Sequence, residues 1–192
     1  MSHMPVTIWR RAATVLLAAV VAAAAFPSPA RAQDVMNKDA AAAVKAAFVA
    51  DLDVMKGKFV GLAQAFPADK YTWRPMEGVR SVSEVLVLIC NEGYGFIPTG
   101  FGGQRGSQED MAALRNLTDK DKIIEHLNKA FAHAKSELDK ADPATLTGKR
   151  QVMGQNRNTA EIAFAIGGDL HEHLGQLIAY ARTNHIVPPW SK

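Results

Sequence analysis

A chain of 192 residues with a single cysteine excludes an intramolecular disulfide framework, so its stability has to rest on a hydrophobic core. Its 22 basic residues exceed its 19 acidic ones, but Arg10, Arg11 and Arg31 all fall within the first 32 residues, and the 19 basic residues left beyond them balance the acidic ones. A neutral body without a basic patch gives no basis for nucleic-acid binding, which is excluded as a function class.

The first 32 residues read as an export signal. Arg10 and Arg11 precede an apolar run from Ala12 to Ala25 that is short for a bilayer span, and Pro27 and Pro29 break it before Ala30-Arg31-Ala32. Cleavage is expected after Ala32, which leaves residues 33–192 as one 160-residue domain, periplasmic or secreted and with no stable membrane insertion. The general secretory route is favoured, because Arg10-Arg11-Ala-Ala lacks the rest of a twin-arginine signal. An uncleaved membrane anchor is the alternative. No cysteine follows the cleavage site to carry a lipid, and Cys90, in an apolar run, reads as a small core residue.

A first helix is predicted over Lys38 to Phe66, where Val44, Phe48, Leu52, Met55, Phe59, Leu62 and Phe66 recur every three or four residues until Pro67. The segment after it is an extended crossover, since Pro75 disfavours a helical Arg74, and Tyr71 and Trp73 should cover one end of the core. A second helix should open near Ser81, with Glu84 completing a capping box, and run through Val82, Val85, Leu86, Ile89 and Phe96 toward Pro98. Gly93, Gly95 and Pro98 weaken its end. Thr99 to Gly106 then reads as a glycine-rich connection or lid, without the sequence of a phosphate-binding loop.

Thr118 is the expected N-cap of a third helix that buries Ile124, Leu127, Phe131, Ala134 and Leu138 and stops before Pro143. His126 and His133 lie off that stripe and are expected in solvent. Asp142 to Arg157 reads as a polar loop. Asn158 or Thr159 opens a fourth helix reaching Asn184, and no strand pattern appears in the mature chain. The fold class is therefore all-α, a four-helix bundle with crossover loops. Leu170, Leu174 and Ile178 extend the apolar surface of the fourth helix beyond one bundle face, which predicts a homodimer.

The fourth helix also carries the polar residues of interest. At about 100° per residue, Ile162, Ile166, Asp169, His173, Gln176 and Tyr180 share one face, with Leu177 at its edge. His171 points the other way, so the His171-Glu172-His173 triplet is not a chelating pair. Asp169 and His173, one turn apart, either supply two ligands to one metal or bond only to each other.

Gly78-Val-Arg-Ser-Val-Ser-Glu84, together with His173-Leu-Gly-Gln176, Tyr180-Ala-Arg182 and Val187-Pro-Pro-Trp-Ser191, resembles the DinB-like superfamily, in particular its exported members. The resemblance covers about residues 40 to 191. It implies a four-helix bundle, usually dimeric, in which one histidine of the second helix and two histidines four apart on the last helix bind a divalent metal. Some members resemble thiol-dependent transferases or isomerases that use that metal.

This chain departs from the pattern at two ligand positions. His173 takes the place of the final histidine, Asp169 stands where its partner is expected, and Leu88 occupies the second-helix position. Glu92, one turn beyond Leu88, could complete a set with Asp169 and His173, or be solvated near a fraying helix end. Two readings follow. In the first, the chain is an exported bundle with a degenerate metal site, non-catalytic or binding a small ligand, its divalent metal (zinc, nickel or iron) weakly held or absent. In the second, it is a metal-dependent transferase or hydrolase using Glu92, Asp169 and His173. A protein-interaction module is a third reading.

Overall fold

The computed structural model describes residues 36–191; the expected export signal lies outside the described residues. Four helices build the bundle: α1 (Lys38–Ala65), α2 (Val82–Asn91), α5 (Lys120–Lys140) and α6 (Thr159–Thr183), with the short α3 (Ile97–Gly100) and α4 (Gln108–Ala113) between the second and third of them. Both α1 and α2 pack on α5 and α6, which sets α1 and α2 at opposite corners and makes residues 66–81 the crossover.

Each long helix starts where a side chain satisfies its free N–H groups. Asn37 accepts from the backbone of Ala40, Ser81 and Glu84 form a reciprocal capping box, and Asn158 and Glu161 form another. Helix α5 is capped by Asp119 rather than by the expected Thr118; the Asp119 carboxylate accepts from Lys122 N at 2.9 Å. Its buried face accordingly includes Ile123 and Ala130, and Ile124 is only partly buried. The stripe of α1 is as read: Phe48, Leu52, Met55, Phe59 and Leu62 are buried, and Phe59 meets Phe131 of α5 with ring centroids 6.1 Å apart. Tyr71 closes one end of the core by donating to Ala63 O at 2.7 Å, and Cys90 is fully buried.

The second helix does not fray at its glycines. It continues through a π-helical turn, Glu92–Phe96, in which Ile97 N bonds back to Glu92 O, and then into α3. The local weakness of Gly93 is overridden by packing: a Cβ there would lie 2.8 Å from Ala130 Cβ, so only glycine lets the π turn approach α5 this closely. Gly100 does the same toward α6, where a Cβ would meet Ile166 Cδ1 at 2.7 Å.

The stretch expected to be a flexible connection or lid is tied down. Gly103 N and Gly106 N donate to Pro98 O and Tyr94 O at 2.8 and 2.7 Å, and Gln104 N donates to Glu137 Oε2 at 2.9 Å. His126 and His133, expected in solvent, are half-buried on either side of Tyr94: Nδ1 of His126 lies 3.1 Å from the Tyr94 hydroxyl, and Nε2 of His133 lies 3.0 Å from Gln104 O. Their off-stripe position is what brings them to this segment.

Two further elements went unforeseen. Helix α4 is capped by Ser107, and the expected polar loop holds a three-residue hairpin, β1 (Arg150–Val152) antiparallel to β2 (Gln155–Arg157), with Val152 opposite Gln155. Strands this short fall below any run that alternation can reveal, and only Val152 of the six is buried. Leu170 and Leu174 are also buried by the chain's own helices, so they do not supply the surplus apolar surface from which a homodimer was expected; the large apolar residue exposed on α6 is Phe164. Among the described residues no helix is long and apolar enough to cross a membrane.

Candidate metal centre

The end of α2 and the middle of α6 bring Glu92, Asp169 and His173 together. One donor atom from each, two carboxylate oxygens and an imidazole nitrogen, lie within 4.8 Å of one another. Glu92 is the first residue of the π turn and is buried, whereas Asp169 and His173 are partly buried on α6. The alternative in which Glu92 is a solvated helix-end residue is therefore set aside. Leu88, one turn earlier on α2, is half-buried and contributes no donor.

His173 does not satisfy itself with Asp169. Their nearest atoms are 3.9 Å apart, beyond hydrogen-bond distance. Instead, Nδ1 of His173 is 3.2 Å from Gln176 Oε1, Gln176 Nε2 is 2.7 Å from the Tyr180 hydroxyl, and that hydroxyl donates to Arg80 O at 2.9 Å. The direction of this chain is fixed from its far end. A carbonyl can only accept, so the Tyr180 hydroxyl gives its proton to Arg80 and accepts from the Gln176 amide; Gln176 Oε1 then faces His173 and must receive Nδ1–H. Nδ1 therefore carries a proton, and Nε2, on the carboxylate side, is the nitrogen left to meet a cation. That is the tautomer a metal-ligating histidine needs. Trp73 packs edge-on against Tyr180, with centroids 5.4 Å apart, and holds the ring in place.

Electrostatics single out Glu92. Burial first, then the hydrogen bond and charge of Asp169, push its carboxyl from the ordinary 4.5 up to about 9, while the Arg80 guanidinium pulls it partly back. Two carboxylates this close, one of them desolvated, cannot both stay charged near neutrality without a cation, so they hold a proton in its place. Glu92 Oε2 is buried and has no hydrogen-bond partner. A buried, unsatisfied carboxylate oxygen costs free energy unless something positive meets it. The donor set, the orphaned oxygen and the pre-set imidazole all fit a divalent cation.

His171 stands apart, as its helical phase requires: its Nε2 is 3.0 Å from Asp51 Oδ2 on α1, across the opposite side of α6. Arg80 and the Tyr94, His126 and His133 group do not stand out in the sequence as site features. Arg80 is visible within the Gly78–Glu84 stretch, but only the fold brings it to the relay that ends at His173.

No family model matches the chain, and no curated protein matches it. Among solved structures it is similar to a DinB-like protein from Bacillus subtilis, YjoA, with a TM-score of 0.58 and 16% sequence identity, over 76% of this chain and 96% of that one. At that identity the likeness speaks for architecture, and with the bundle described above it establishes that this chain has the DinB-like fold.

Proposed function

We propose that Glu92, Asp169 and His173 hold one divalent ion, with zinc, nickel and iron the candidates for an imidazole with two carboxylates, and that the protein is a metal-dependent hydrolase or transferase acting on a small molecule. The observation that carries this reading is Glu92, a buried carboxyl with an unpartnered Oε2 and with one oxygen within 4.8 Å of donor atoms of Asp169 and His173. It offers a carboxylate one turn beyond Leu88, on the same side of α2, in place of the ligand missing there. When bound, such an ion supplies a Lewis acid and lowers the pKa of a water or thiol next to it.

The chain's own residues do the rest. Gln176 and Tyr180 hold the imidazole in one orientation and tautomer. Asp169 is the more exposed of the two carboxylates, and Leu88, one turn before Glu92, is half-buried and offers no donor. The test is metal titration by calorimetry of the chelator-stripped protein, free of any histidine tag. One equivalent should bind; Glu92→Ala and His173→Ala should each abolish it, and His171→Ala, on the far face of α6, should leave it intact. Absence of stoichiometric binding in the unmodified protein would instead favour a non-catalytic bundle.

A further inference from the structure

At the end of α2 away from Glu92, a cavity of about 270 Å³ opens between the start of that helix, the crossover before it and the turn 114–118 that joins α4 to α5. Residues 81 and 92 lie roughly 16 Å apart along the helix axis, so the cavity is distinct from the metal centre and does not depend on it. Its inner wall carries Ser81 and Ser83, 2% and 1% exposed, with hydroxyl oxygens 3.1 Å apart. Ser81 Oγ also accepts from Glu84 N. Each hydroxyl has one proton, and the bond between them uses one of the two, whichever donates. The other proton has no acceptor among the described residues, because neither hydroxyl makes a further hydrogen bond. A buried O–H without an acceptor costs free energy, and this one borders an open space.

The helix end itself offers nothing to an anion. Val82 N and Ser83 N donate to Trp73 O and Tyr71 O, Glu84 N to Ser81 Oγ and Val85 N to Ser81 O, so every backbone donor of the first turn is spent. The charges on the wall cancel as well: Arg74 pairs with Glu84 at 3.0 Å, and Glu84 Oε2 accepts from Ser81 N at 2.6 Å. An anion would meet the Glu84 carboxylate, and a cation the Arg74 guanidinium. What remains is neutral. It comprises the spare serine proton, the Thr72 and Thr118 hydroxyls, which make no hydrogen bond among the described residues, and the aliphatic side chains of Leu114 and Leu117.

We propose that this cavity binds a small uncharged polyol of monosaccharide size. The hydroxyls of such a molecule both donate and accept, which suits a wall of hydroxyls, and its C–H face suits Leu114 and Leu117. The volume is at the small end of ligand cavities, which run from about 300 Å³ upward, so one sugar ring is the limit.

The test is titration of the nitrogen-15-labelled full chain with D-glucose, D-glucuronate and D-glucosamine, followed by amide shifts. The three share one ring and differ in charge. Glucose should saturate and move the amides of Ser83, Leu114 and Leu117 while leaving those of Glu92 and His173 in place, and the two charged sugars should bind about tenfold or more weakly. Ser81→Ala combined with Ser83→Ala removes both hydroxyls and should abolish saturable binding; amide shifts far from the cavity report whether that variant keeps the fold. Absence of saturable binding, shifts confined to the metal-ligand residues, tighter binding of either charged sugar, or undiminished binding in the folded double variant would each overturn the proposal. If the double variant unfolds, the position of the shifts and the order of the three sugars in the unmodified chain decide it.

Discussion

His173 is bonded to Gln176 and stands off from Asp169: Nδ1 reaches the amide oxygen at 3.2 Å, and Nε2 is 3.9 Å from the carboxylate. The glutamine therefore decides which imidazole nitrogen is free. Replacing it should weaken metal affinity without touching a ligand. Gln176→Leu is expected to cost about 10- to 100-fold in affinity by metal titration, the range for outer-shell partners of ligating histidines. Tyr180→Phe should act in the same direction, because it removes the hydroxyl that orients the amide.

The raised pKa of Glu92 makes stability pH-dependent in the metal-free protein. Its folded pKa of about 9 lies above the ordinary 4.5, so the fold favours the protonated form. Below pH 4.5 both states carry the proton and the stability is full. As pH rises from there to 9 the unfolded chain ionises while the folded one does not, and stability is lost; above 9 the loss levels off. Urea unfolding in the presence of chelator should show Glu92→Gln free of this effect, with the unmodified protein losing on the order of 2–4 kcal/mol relative to it between about pH 5 and 8. A saturating divalent metal should reverse the loss in the unmodified protein only.

Gly93 should not tolerate a methyl group. Alanine there drives a Cβ into the Ala130 backbone and should destabilise by about 1–3 kcal/mol in thermal or urea unfolding, whereas alanine at Gly100 meets the end of the Ile166 side chain, which can shift, and should cost less. Gly57, on the exposed side of α1, provides the contrast, because a Cβ added there would meet nothing within 4 Å. Gly57→Ala should stabilise by about 0.5–1 kcal/mol through helix propensity alone.

Export is expected from Arg10, Arg11, the apolar run and Ala30-Arg31-Ala32. Intact-mass analysis of periplasmic protein should give a chain beginning at Gln33. Recovery of the uncleaved species in membranes would count against it.

The three long helices α1, α5 and α6 were legible because their apolar residues repeat at the helical period and their ends carry caps or prolines. So was the shared face of Asp169, His173, Gln176 and Tyr180. The π turn was not legible. Two glycines close together read locally as weakness, and only the distance to Ala130 explains why Gly93 is needed. Glu92 was ambiguous for the same reason, since whether a carboxylate at a helix end faces solvent or a neighbouring helix depends on how that end packs. His126 and His133 were misjudged because their partners, Tyr94 and Gln104, come from 32 and 29 residues away. The hairpin was too short to produce alternation.

The π turn between α2 and α3 has a consequence for how the two halves of that helical stretch can vary. One extra residue in a helical turn rotates everything after it by about 100° relative to a regular helix. Glu92 and Gly100 are thus indexed to α6 separately, the first facing Asp169 and His173 and the second facing Ile162 and Ile166. Removing a single residue between Gly93 and Phe96 would return the stretch to one phase. Either the carboxylate or the glycine would then turn away from α6. A one-residue deletion there should be far more damaging than most substitutions nearby, because it changes the angular address of a whole element and not the chemistry of one position.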